Sequence, residues 1–219
     1  MIGIIKKIPW RLAGKLFSNT RFGISVIILG LSLAGCATAP MTTLPQTASA
    51  PSQVQVVGST LYITGDIDFA TVAKVGQQDT DHVTTVTLRS HGGSVNLALL
   101  LSAWVKSKSL NTAVTNYCES ACTLILASGK ARLGTRDARF LIHGAAYNLQ
   151  ADSRLAGEIS GDDGAVTAAN RAMRAHYLEQ GVNPDFIKRA VQSPRPPNEH
   201  DITAAEALRI GLLTEVRDF

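Results

Sequence analysis

Tyr117-Cys118-Glu119-Ser120-Ala121-Cys122 stands between two apolar stretches of different character. Residues 111–117 read as a strand, and residues 121–127 as a short apolar helix stopped by Gly129. Ser120 thus falls where a strand turns into a helix. Further on, residues 138–142 read as a strand ending at His143-Gly144. Upstream, the Thr/Val alternation of residues 83–88 reads as a strand broken by Gly92-Gly93. Residues 95–105 are too long and too apolar for an ordinary strand and read as a buried helix. A hydroxyl, an imidazole and a glycine turn, each at a strand end, are the parts of a serine nucleophile site: attacking group, base and backbone N–H donors. Each also has a plainer reading. Serine is a favoured helix N-cap, a strand-end histidine can be held by backbone, and a glycine pair can be only a turn. Gly92-Gly93 is not a phosphate loop, because neither a Walker lysine nor the dinucleotide spacing follows it.

Working outward, residues 60–64 read as a strand, 69–75 as a short helix and 131–133 as a short strand. The last third is helical over 155–159, 165–180 and 184–192, with Gly181 as a stop and Asn183-Pro184 as a start. Residues 193–197 form a proline-rich loop. Thr203 caps a final helix over 204–210, and 212–216 read as a closing strand. Strands alternating with helices give the α/β class with a parallel sheet and crossovers. Ligands of such sheets bind beyond the carboxyl ends of the strands, where Gly92-Gly93, Ser120 and His143 all fall.

Residues 1–35 carry Lys6, Lys7, Arg11, Lys15 and Arg21 and no acidic residue, and an apolar run over 22–33 precedes Ala34-Gly35-Cys36. Basic flank, short apolar run and small residues make a secretory signal. An uncleaved anchor is the alternative, but the run is shorter than the roughly 20 apolar residues a span needs. Leu33-Ala34-Gly35-Cys36 resembles a bacterial lipobox. That resemblance implies cleavage before Cys36, a diacylglyceryl group on its sulfur and attachment to the membrane. Ala37, rather than Asp, favours the outer membrane, facing the periplasm. The whole chain has a net charge of +4, to which residues 1–35 contribute +5, leaving the remainder at −1. No basic stripe is left for a nucleic-acid partner.

Residues 36–53, rich in Ala, Thr, Pro, Ser and Gln, read as a flexible tether, and residues 54–219 as one domain. Cys118 and Cys122 remain after Cys36 takes the lipid. In an oxidising compartment they form either a disulfide or a buried pair of thiols, as geometry decides. No second cysteine or histidine pair accompanies them, so their spacing is not that of a zinc site.

The carried motifs are Ser90-His91-Gly92-Gly93-Ser94-Val95, Glu119-Ser120-Ala121-Cys122, Ala127-Ser128-Gly129-Lys130 and Ile142-His143-Gly144. A tail, Ile202-Thr203-Ala204-Ala205-Glu206-Ala207 with Gly211-Leu212, follows them in order. Together they resemble the ClpP/crotonase superfamily, and within it the Clp protease proteolytic subunit and its secreted relatives. The resemblance spans most of residues 55–216. It implies repeated β-β-α units with a parallel sheet and a helical C-terminal part. It makes Ser120 the nucleophile, His143 the general base, and the N–H groups of Gly92, Gly93 and Ala121 the oxyanion donors. The acid of the triad falls in register on Glu199, with Asp201 second. No cofactor or metal is implied, the substrate is a peptide or protein, and a homo-oligomer is suggested. The sequence departs from the family in having Glu199 for aspartate, His91 for proline, and the larger Cys118 and Glu119 before the serine. A Glu119 carboxylate turned inward would compete with Ser120 for His143, while His91 reads as a strand-end histidine satisfied by its neighbours.

Two functions follow. One is a membrane-tethered serine hydrolase, a peptidase acting outside the cytoplasm through a Ser-His-acid site. The other is a lipoprotein that keeps the fold without catalysis, as a binding or scaffold protein. Arg132, Arg136 and Arg139 read as a solvated sheet edge, His82 and His176 as surface residues, and Leu97, Leu99, Leu100 and Leu101 as core or oligomer contacts.

Overall fold

Alternation along β2 (Thr60–Thr64) and β3 (Thr85–Ser90) turns Leu61, Ile63, Val86 and Leu88 to one buried face. The strands run parallel with Leu61 opposite Val86 and Ile63 opposite Leu88. This is a computed structural model; it describes residues 51–146, 164–192 and 201–218, all within one unit, Thr47–Phe219. The signal, Cys36, the 155–159 helix, the proline-rich loop and Glu199 lie outside the described residues.

β4 (Asn111–Glu119) is the spine of the sheet. One edge pairs with β3 in parallel; the other is shared. Thr112 to Val114 pair with β5 (Arg132–Gly134), and Tyr117 to Glu119 pair with β6 (Arg139–Leu141). The sheet forks there. β8 (Glu215–Val216) continues from β5 in parallel, while β7 (Ile202–Thr203) runs antiparallel to β6. β1 (Gln53–Val57) folds back on β2 through a turn at Gly58, whose φ is 56°.

Four of the helix starts are written locally. Asp68 forms a capping box on α1 (Phe69–Gln77), Ser94 caps α2 (Val95–Ser107), and Asn183 with Pro184 opens α5 (Pro184–Ala190). Thr203 caps α6 (Ala204–Arg209). α3 (Cys122–Ala127) has no side-chain cap, and all six of its residues are buried. α2 turns Ala98, Leu101, Ser102 and Val105 inward at helical spacing. α4 (Gly164–Glu179) buries Val166, Asn170, Met173 and Tyr177. Among the described residues no helix is long and apolar enough to cross a membrane.

The α/β reading and its mostly parallel sheet hold, with differences at the edges. The domain's first strand starts at Gln53, the last residue read as tether, and Ser52 before it is buried. The closing strand is shorter than expected, because Leu212 and Leu213 plug the core instead of pairing. Leu101 is core, whereas Leu100 is exposed. Arg132 is not a solvated edge residue. Its guanidinium donates to Ala127 O at 3.5 Å, Gln180 O at 3.2 Å and Gly211 O at 3.0 Å. It thereby gathers the carboxyl ends of α3, α4 and α6, where helix dipoles favour a cation. His176 is not a surface residue either. Its Nε2 lies 2.9 Å from Leu124 O, and burial pushes its pKa below the ordinary value.

Candidate active site

The chain bends sharply between β4 and α3, and Ser120 sits at the bend with φ 52°. A non-glycine residue in this left-handed region costs roughly 1–2 kcal/mol. Tertiary hydrogen bonds help to hold it there. Ser120 N–H donates to Leu141 O on β6 at 2.7 Å, and its carbonyl accepts from Thr123 N–H at 3.0 Å and Thr123 Oγ1 at 2.6 Å. The Thr123 proton is used there, so Tyr177 donates to Thr123 Oγ1 across 2.7 Å. A chain of hydrogen bonds thus ties α4 to the carbonyl of Ser120. Desolvation holds the Tyr177 phenol well above its ordinary pKa, keeping it a donor.

Ser120 is not a helix cap. The N-cap of α3 is Ala121, and no side chain caps it. The Ser120 hydroxyl has no hydrogen-bond partner among the described residues, and the residue is half-buried. A strained serine whose hydroxyl does no local structural work is therefore presented at the strand end.

The Gly92-Gly93 turn lies directly against it. Gly92 has φ 109°, and a Cβ placed there would sit 2.6 Å from Ser120 Cβ and 3.1 Å from Ala121 N. Only glycine permits that approach. The Gly92 N–H is already engaged, donating to Ser90 Oγ at 3.0 Å, and its carbonyl accepts from Ile67 N–H at 2.8 Å. Gly92 therefore supplies closeness rather than a free donor. The N–H groups of Gly93 and Ala121 have no acceptor among the described residues. Gly93, with φ 141°, is pressed against the Ile67 backbone and exposed on its other side.

His143 follows β6, whose Leu141 pairs with Glu119. Its Nδ1 is 2.7 Å from Gly144 O. A carbonyl only accepts, so Nδ1 carries the proton and Nε2 is left basic. Gly144 cannot carry a side chain, since a Cβ would overlap the Gln192 carbonyl just beyond α5. The next residue is tied down as well, Ala145 N–H donating to the buried Asn170 Oδ1 at 2.7 Å. The fold brings Ser120 and His143 to the ends of adjacent strands, but no hydrogen bond joins hydroxyl to imidazole. Asp201 is exposed, one residue before β7.

Glu119 does not turn toward His143. Its Oε2 is 2.8 Å from His91 Nδ1, and the His91 ring stacks on Tyr117 at 4.2 Å. Arg89 Cζ lies 5.6 Å from the same Tyr117 ring. The departure at His91 is thus absorbed by a clasp between the two turns. Cys118 and Cys122 are joined in a disulfide with Cα atoms 5.3 Å apart, and both are fully buried. So short a ring restrains the unfolded chain by about 2 kcal/mol, similar in size to the strain at Ser120.

A second serine–histidine pair was not foreseen. Ser128 Oγ lies 3.2 Å from His176 Nε2. It is no nucleophile site, because Nε2 also faces Leu124 O and must carry its proton there. No group of three or more His, Cys, Asp and Glu that could hold a metal occurs among the described residues.

Among solved structures, the chain is similar to a mutant of ClpP1 from Listeria monocytogenes, at 15% identity and TM-score 0.57, over 74% of this chain and 92% of that one. It is also similar to the ClpP protease catalytic domain from Plasmodium falciparum, at 19% identity and TM-score 0.55, over 74% and 86% of the two chains. The chain therefore has a ClpP-like fold. No protein-family model matches it, and no curated protein does.

Proposed function

We propose that the chain is a membrane-tethered serine peptidase acting outside the cytoplasm. The observation that carries this reading is Ser120 itself: a left-handed serine between strand and helix, its hydroxyl free of capping duty. It attacks a substrate carbonyl. Nε2 of His143 takes the proton and returns it to the leaving amine, and water then resolves the acyl-enzyme. The Gly93 and Ala121 N–H groups receive the oxyanion; the latter opens α3, where the helix dipole adds to its pull. Glu199 is the proposed third member; it acts on Nδ1 of His143 by taking the place of the Gly144 carbonyl, which holds that N–H in the unliganded site. The substrate is an unfolded segment or peptide, and the working form is a homo-oligomer. Cys36 carries the lipid that holds the chain to the outer membrane, facing the periplasm.

The missing hydrogen bond between Ser120 and His143 favours a second reading, a lipoprotein with this fold that binds without cutting. Unliganded sites often close such bonds only around substrate, so the two readings separate by reactivity. Labelling by a fluorophosphonate that requires both Ser120 and His143 supports the peptidase. A folded protein that takes no label is the binding lipoprotein.

A further inference from the structure

We propose that the Cys118–Cys122 disulfide is a positioning device that holds Ser120 in its reactive conformation, so that the site is competent only when oxidised. This rests on the reading of Ser120 as the nucleophile. The cross-link closes a ring of five residues with Ser120 at its centre. Each end is anchored in a different part of the core. Cys118 is laddered to Ser90 on β3 and to Phe140 on β6. Cys122 is the first residue of the wholly buried α3. The ring therefore fixes strand end and helix start relative to one another, with the left-handed serine between them.

The surrounding sequence gives the bend no other help. Glu119 and Ala121 flank Ser120, so no glycine relaxes the turn on either side. α3 lacks a side-chain cap to fix its first turn. The remaining restraints on Ser120 are the bonds from its N–H to Leu141 O and from Thr123 to its carbonyl. With the ring open, the serine can leave the left-handed region, carrying the hydroxyl and the Ala121 N–H away from the Gly92-Gly93 turn. Closing the ring needs an external disulfide as oxidant. The two thiols give up two protons and two electrons, one S–S bond forms, and the oxidant leaves as two thiols. In a reducing compartment the same chain keeps an unassembled site, which suits a hydrolase that meets its substrates only after export.

The test uses the full-length protein refolded from denaturant, either with dithiothreitol or with oxidised glutathione, beside the double variant Cys118→Ala/Cys122→Ala. Fluorophosphonate labelling is followed to saturation, and folding is followed by circular dichroism and thermal unfolding. The expected result is a maximal labelling rate at least tenfold lower in the reduced and double-variant proteins, with a little-changed half-saturating concentration. Both proteins stay folded, and later oxidation restores the wild type alone. Labelling within twofold of the oxidised protein overturns the proposal. So does unfolding of both cross-link-free forms, which would make the disulfide a staple of the whole fold. Absence of label in the oxidised wild type is a different failure, that of Ser120 as nucleophile.

Discussion

Replacing Gly92 by alanine probes the closest approach in the site. The new Cβ falls 2.6 Å from Ser120 Cβ, 3.0 Å from Glu119 O and 3.1 Å from Ala121 N, in a backbone at φ 109°. The left-handed conformation alone costs roughly 1–2 kcal/mol. Overpacking against a fixed backbone adds about 1–3 kcal/mol. A loss near 3 kcal/mol is expected by denaturant unfolding, unless the turn moves. If it moves, the atom displaced belongs to Ser120, and labelling falls at least tenfold instead. Gly76→Ala is the control. Gly76 lies in α1 with nothing within 4 Å of a new Cβ, so alanine stabilises by roughly 0.5–1 kcal/mol and leaves labelling unchanged. A Gly92→Ala protein as stable and as reactive as wild type would refute the packing of the two turns.

Other perturbations have defined outcomes. Arg132→Met strips a guanidinium from three helix ends, costing about 3 kcal/mol in urea unfolding; Arg132→Lys recovers little, since one ammonium cannot span the three carbonyls. His176 has its pKa lowered first by burial, with a smaller repulsive contribution from Lys106. Its folded pKa lies below its unfolded one, so its contribution is complete above about pH 6.5 and is lost as pH falls through the folded value. His176→Gln flattens that part of the stability–pH curve, and an unchanged slope would contradict the assignment. Glu119→Gln weakens an exposed clasp, moving stability by under about 1 kcal/mol. Labelling stays within a few-fold of wild type, and a complete loss would show that the carboxylate serves the reaction.

Two kinds of run were legible in the sequence. Those that became β2, β3 and α4 show alternation or helical spacing, whereas α2 is legible from its length and apolar content. β1 was missed although Val54 and Val56 alternate with Gln53 and Gln55, because the Thr/Pro/Ser-rich stretch before it, with only Met41 and Leu44 as large apolar residues, carried the tether reading into Gln53. β7 has only two residues, and what defines it is its pairing with Arg139 and Phe140. The site was legible as positions, since Ser120, Gly92-Gly93 and His143 each end a strand. What could not be read was which groups were already occupied. Gly92 N–H is taken by Ser90 Oγ, Glu119 by His91, and Arg132 by three carbonyls brought together only by tertiary packing.

The central claim is that Ser120 is an activated nucleophile with His143 as its base. Site-mapped fluorophosphonate labelling of the full-length oxidised protein tests it most directly. The expected adduct is on Ser120, absent in Ser120→Ala and reduced at least a hundredfold in His143→Ala, with both variants folded. An adduct on another residue, or equal labelling without His143, contradicts it.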